Sequence, residues 1–309
     1  MPRSSIELRR FAGPDVYTRQ LDHVRVAHLT DLHVGRVTPH RVQMEAVART
    51  NAEEPDLVVI TGDFVAHSQM YLDQLVEVVG AIEAPVLGVL GNHDHWSGAS
   101  EVRWALRKAG AEVLDNAWTS LTLRGQTLQV VGLDDAYTGH ADRTTAMRGL
   151  DPQVATLGLS HIAEQADAMW DGGVPMVLSG HTHAGQVTLA RLHEFVLGRI
   201  IGHRYIHGLY GSRGEPRDVR GCVYVGAGIG SAVMPVRMGD RARREVTIFE
   251  LGHDRRDYEE HHAEQEPAPG RAPSPEKTRQ RQRQALTKSK RRREAARKRG
   301  IDPLRSQDD

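Results

Sequence analysis

Val86-Leu87-Gly88-Val89-Leu90-Gly91-Asn92-His93-Asp94 is an apolar run that breaks at a glycine and turns at once into Asn, His and Asp. A short apolar run closed by glycine reads as a buried strand. The same arrangement occurs three more times. Residues 24–29 lead to Asp31-Leu32-His33, residues 57–60 to Gly62-Asp63, and residues 174–178 to Gly180-His181-Thr182-His183. Strands that deliver such side chains to one edge of a sheet are how an open α/β fold builds a site.

Between these strands the apolar spacing changes. Residues 41–51 carry Val42, Met44, Ala46, Val47 and Ala48, and residues 71–82 carry Leu72, Leu75, Val76 and Val79, both at helical spacing. A third helix is predicted over 100–109, with Ser100 at its start. Strand–helix alternation implies a mainly parallel sheet. After it, residues 112–114, 118–123 and 128–131 follow closely around Arg124-Gly125-Gln126 and predict an antiparallel meander. Residues 6–11 predict an edge strand, and 154–159, 174–178, 186–189, 222–225 and 246–251 predict further strands. An α/β fold of two packed sheets with helices outside fits this order better than one sheet.

Charge divides the chain. The 309 residues hold 40 basic and 40 acidic side chains, but residues 264–309 hold 14 basic and 7 acidic, leaving 26 and 33 in residues 1–263. An acidic body thus carries a basic tail. Residues 277–299 are almost wholly polar, so the tail is expected to be a disordered extension, with a transient helix its nearest alternative. No run of 18 apolar residues exists, so no transmembrane segment is expected. The opening residues lack the apolar stretch of an export signal, and Cys222 alone cannot form an internal disulfide. A cytoplasmic location, with peripheral membrane attachment as an option, is the expectation.

A lone Asp or His at a strand end is usually a satisfied structural group. Seven together are different: Asp31, His33, Asp63, Asn92, His161, His181 and His183 all fall just past apolar runs. A buried carboxylate without a counter-charge is costly. Three Asp or Asn and four His exceed one metal's needs and suit two cations sharing a carboxylate. Mixed imidazole and carboxylate donors favour Mn, Fe or Zn over Ca or Mg.

On these motifs the chain resembles the calcineurin-like metallophosphoesterases, and most nearly their small bacterial phosphodiesterases. The likeness extends through His181-Thr182-His183-Ala184-Gly185-Gln186, Gly208-Leu209-Tyr210, Val225-Gly226-Ala227-Gly228-Ile229-Gly230, Arg237 and Glu245. It implies a four-layer α/β/β/α sandwich of two mixed sheets across residues 1–263. It implies one metal held by Asp31, His33, Asp63 and His183, and a second held by Asp63, Asn92, His161 and His181. It also implies that a metal-bridging hydroxide attacks phosphorus while His93, oriented by Asp94, protonates the leaving oxygen. The family's proline after the third ligand motif is missing from Ser160-His161-Ile162-Ala163. His95 and Trp96 are placed to line the mouth of such a site.

The expected substrate is a phosphodiester or a pyrophosphate. A lipid-linked one is an option because residues 195–201 include Phe195, Val196, Leu197, Ile200 and Ile201. The alternative reading is an anion- or membrane-binding protein whose basic tail is the functional element, with residues 277–299 touching anionic lipid or nucleic acid and a vestigial hydrolase core.

Overall fold

The computed structural model describes residues 6–185, 202–214, 221–231, 237, 242–257, 260 and 262–304. The strands are β1 (Ile6–Ala12), β2 (Val24–Leu29), β3 (Leu57–Thr61), β4 (Val86–Val89), β5 (Glu112–Val113), β6 (Ala117–Leu123), β7 (Gln126–Leu133), β8 (Ala155–Ser160), β9 (Met176–Ser179), β10 (Gly208–Gly211), β11 (Cys222–Val225) and β12 (Arg244–Leu251). Helices are α1 (His40–Ala52), α2 (Leu72–Gly80), α3 (Asn92–Ser97), α4 (Ala99–Lys108), α5 (Arg143–Ala146), α6 (Ala166–Asp171) and α7 (Pro275–Arg297).

Two mixed six-stranded sheets result, ordered β1-β12-β2-β3-β4-β5 and β10-β11-β9-β8-β7-β6. Alternation along each strand decides which layer each side chain joins. Val24, Val26, Leu57, Val59, Leu87 and Val89 point between the sheets, against Leu128, Val130, Leu157, Leu159 and Leu178. Ala27, Leu29, Val58 and Ile60 point the other way and pack beneath α1, α2 and α4 through Val42, Ala46, Leu75, Val78 and Leu106. The far face of the second sheet, with Val131, Leu133, Val177 and Val223, packs on Met169 and Trp170 of α6. The four layers are therefore α/β/β/α, as the resemblance implied. Truncating a side chain such as Ile60, fully buried in the first core, costs about 2–5 kcal/mol.

Two local expectations are corrected. Residues 112–113 do not join the meander: β5 follows α4 and pairs parallel with β4, through Leu87 with Glu112 and Gly88 with Val113. A crossover through α4 carries the chain on to the next parallel position. Only β6 and β7 form the antiparallel hairpin. Helix α4 starts at Ala99 behind Gly98, so Ser100 lies inside it rather than capping it.

The basic tail also departs from a disordered extension. Ser274 caps the backbone of Lys277, Pro275 opens the helix, and residues 275–297 form α7. Small residues let α7 lie close: Ala285, Ser289 and Ala296 are buried beneath it. Arg293 reaches the buried Glu101 of α4, with Nη2 to Oε2 at 3.0 Å. Among the described residues no helix is long and apolar enough to cross a membrane. The predicted strand at 186–189 and the apolar stretch 195–201 lie outside the described residues.

Candidate metal centre

The polar ends of β2, β3, β4, β8 and β9 converge on one edge of the sandwich. Asp31, His33, Asp63 and His183 form one group, and Asp63, His161 and His181 a second, with ligand atoms inside each group within 4.8 Å of one another. In the first, His183 Nε2 lies 3.3 Å from Asp31 Oδ1, and His33 Nε2 lies 3.6 Å from Asp63 Oδ2. In the second, His161 Nε2 is 3.4 Å from the same Asp63 Oδ2 and 3.2 Å from His181 Nδ1. One carboxylate oxygen thus faces both groups.

Supporting hydrogen bonds leave the inward atoms free. Asp31 Oδ2 accepts from Thr30 Oγ1 at 2.8 Å and from the backbone N–H of His181 at 3.1 Å, while its Oδ1 has no hydrogen-bond partner. Asp63 Oδ1 accepts from the backbone N–H of His93 at 2.8 Å. His161 Nδ1 donates to the carbonyl of Thr61 at 2.8 Å, which leaves the Nε2 lone pair turned inward. Asn92 is buried and its Oδ1 has no partner. Buried, partnerless acceptors are costly unless something electropositive meets them. The residues present therefore fit a pair of cations, by donor type and by the orphaned oxygens.

Electrostatics agree. Burial opposes a charged imidazole at His161, yet Asp63, Asp31 and Asp135 outweigh it and push the ring up to about 10. Burial also works against the ionised Asp63, but His161, His93 and His33 hold it well below the usual carboxylate range. The negative charge gathered here calls for positive charge, which a metal supplies without a proton.

Backbone geometry adds a feature absent from the sequence reading. Asp31, His33, Asp63, His181 and His183 all have positive φ, at 51°, 42°, 54°, 75° and 52°. This left-handed region costs a non-glycine residue about 1–3 kcal/mol and persists where surrounding structure enforces it. Five of the seven expected ligands carry that strain. Gly62, with φ of 86°, makes room beside them: a Cβ there would lie 2.7 Å from both Gly91 N and His161 Nδ1.

His93 stands between the first group and the rim. Its ring lies 4.8 Å from that of His33 and 4.6 Å from Trp96, and Nδ1 bonds to the carbonyl of Ala66. The expected orienting role of Asp94 is corrected here. Its carboxylate accepts from the backbone N–H of Gly91 at 2.9 Å and of Val65 at 3.1 Å, so it holds the turn while Ala66 orients the ring. Burial, then the charge on Asp63, pushes Asp94 up to about 7.

His95 does not line the mouth. It is buried and its Nε2 lies 2.7 Å from Asp134 Oδ1. Trp96 does reach the rim, beside Tyr137 at 6.1 Å, and the Tyr137 ring lies 5.3 Å from His181. His161 reaches its place without the missing proline; Ser160 Oγ donates to the carbonyl of Ile162 at 3.1 Å instead. Asp134, Asp135 and Tyr137 are supporting residues that sequence reasoning passed over. The signal was there: Asp134-Asp135 follows the apolar end of β7 in the same way that Asp31 follows β2.

Comparison with known proteins matches these features. The profile of the calcineurin-like phosphoesterase family matches residues 24–185. The uncharacterized metallophosphoesterase YkuE of Bacillus subtilis is 28% identical over 236 residues, spanning 74% of this chain and 79% of that protein. Phosphodiesterase YaeI of Escherichia coli is 28% identical over 233 residues, spanning 74% and 82%. The solved NAD nucleotidase of Haemophilus influenzae is 13% identical with a TM-score of 0.49; the match covers 68% of this chain and 46% of that one.

Proposed function

Because the chain belongs to the calcineurin-like phosphoesterases, we propose that it hydrolyses phosphodiesters or pyrophosphates at a two-metal centre held by Asp31, His33, Asp63, Asn92, His161, His181 and His183. The observation that carries this reading is Asp63 Oδ2, which lies 3.6 Å from His33 Nε2 and 3.4 Å from His161 Nε2 and so serves both metal positions. The named activity of phosphodiesterase YaeI supports the diester class. The donor set suits Mn, Fe or Zn.

Two bound divalent cations at such a centre supply electrophilic activation of the phosphate and of the attacking water. The chain supplies the rest. Ala66 and the backbone of α3 fix the His93 ring, leaving Nε2 to give a proton to the departing oxygen. Burial holds metal-free His93 down to about 4. An anionic phosphate brought alongside favours the protonated ring.

The test is hydrolysis of bis-p-nitrophenyl phosphate by metal-stripped protein resupplied with Mn, Zn, Fe, Co or Mg one at a time. Turnover that needs the metal is the expected result. Absence of turnover on this diester and on a dinucleoside pyrophosphate, with two cations bound, would overturn the reading.

A further inference from the structure

The basic helix α7 crosses the mouth of the candidate centre. At its N-terminal end Thr278 lies against Gly139, two residues beyond Tyr137 in the loop that follows β7. Further along, Arg293 is bound to Glu101 of α4. The helix thus spans from the second sheet's side of the centre to the first. Its inward face carries Arg281, Lys288 and Arg292, all half-buried.

These cations stand one aromatic ring away from the site. Lys288 Nζ sits 3.6 Å from the centroid of Trp96, whose ring contacts His93. Arg281 Cζ sits 3.7 Å from the centroid of Tyr137, whose ring contacts His181. Residues seven apart lie on one helix face about 10 Å from each other, so the pair brackets the rim where Trp96 meets Tyr137. Among the described residues no carboxylate is within ion-pair distance of Arg281, Lys288 or Arg292, whereas Arg293 on the same helix has Glu101. A ring face attracts a cation but carries no net charge to neutralise it. Burial disfavours the charged forms of Lys288 and Arg292, and for Lys288 the neighbouring Arg292 adds to it.

We propose that α7 forms the outer wall of the substrate site, where Lys288 and Arg281, with Arg292 behind them, take a second anionic group of the substrate. The substrate class is then one with a phosphoryl or other anionic group next to the phosphate that reacts, such as a pyrophosphate diester or a phosphorylated phosphodiester. This rests on the two-metal hydrolase reading and narrows it.

The experiment uses the whole chain loaded with metal and measures the affinity of methylenediphosphonate, which has two anionic groups and is not hydrolysed, against methylphosphonate, which has one. The native chain is expected to prefer the former. Arg281→Gln combined with Lys288→Gln is expected to reduce that preference at least about tenfold, the loss of charge-assisted contacts. Arg281→Lys with Lys288→Arg, which keeps both charges, retains most of it, and outward-facing Arg291→Gln leaves it unchanged. An unchanged preference in the glutamine variant overturns the proposal. So does tighter binding of both ligands, which would make α7 a cover. An equal loss in the charge-conserving variant would assign the effect to packing and overturn it as well. Turnover of bis-p-nitrophenyl phosphate reads the hydrolase assignment separately, so the two fail independently.

Discussion

His33 Nε2 and His183 Nε2 stand 2.9 Å apart, their rings nearly parallel at 21°. Asp31 Oδ1, which no hydrogen bond satisfies, lies 3.3 Å from His183 Nε2 and 3.7 Å from His33 Nε2. Two imidazole nitrogens and an orphaned carboxylate oxygen gathered this closely are the donor set that a cation would fill. Metal binding should therefore stabilise the fold. At a hundredfold excess over the dissociation constant, one bound ion contributes about 2.7 kcal/mol, or roughly 4–5 °C in a chain of 309 residues. Scanning calorimetry of stripped and reloaded protein measures it; coincident midpoints would contradict the metal-centre assignment.

Asp63 should matter to both metals at once. Its Oδ1 is engaged by the backbone of His93 and its Oδ2 faces both groups. Asp63→Ala is expected to take the metal content from two per chain to near zero, with turnover down about a thousandfold or more. Elemental analysis of the purified variant decides it, and two retained metals would remove the bridge.

His93→Ala separates proton transfer from metal binding. The ring bonds Ala66 and contacts Trp96, and the ligand roles belong to other residues. Metal content should stay at two while kcat falls about 10²- to 10⁴-fold, the usual range for a general acid. A variant with native kcat would reassign the proton donor.

Much of this was legible because β2, β3, β4 and β9 are buried runs that end in ligand-type side chains, a signal carried by neighbouring residues. What escaped the sequence depends on partners far along the chain or on backbone angles. The positive φ of Asp31, His33 and Asp63 leaves no mark in residue type, since Asp and His are common everywhere. Ala66 as the partner of His93 is a carbonyl, which any residue supplies. Helix α7 reads as solvated because its composition is polar; its docking depends on packing against α3, nearly two hundred residues earlier, and on small residues such as Ala285 and Ser289 that are buried there. The placing of β5 beside β4 depended on the crossover through α4, which short apolar runs do not reveal.

Gly62 shows how tightly the ligands are built in. With φ of 86° and a Cβ position 2.7 Å from His161 Nδ1 and Gly91 N, alanine there is both strained and overpacked. Gly62→Ala should lower unfolding free energy by about 3 kcal/mol and weaken metal retention by moving His161. Denaturant midpoints and metal content measure the two effects. A variant native in both would show that the turn relaxes freely.

His28 gives the fold a pH dependence of known sign. It is buried between the sheets, with Nε2 2.8 Å from the hydroxyl of Thr61, whose carbonyl holds His161. Burial lowers its pKa from 6.5 to about 4, against the opposing pull of Glu245 and Asp31. The unfolded chain then binds a proton between pH 6.5 and 4 that the folded chain refuses, so stability falls with pH across that window. Above 6.5 the contribution is complete; below about 4 the loss is complete, amounting to about 3 kcal/mol. His28→Gln keeps a bond to Thr61 and has no proton to bind. Its unfolding free energy should decline less steeply than that of the native protein over the same window, both loaded with metal. Parallel curves would mean that His28 titrates alike in the folded and unfolded chain, and that its burial between the sheets exerts no hold on its charge.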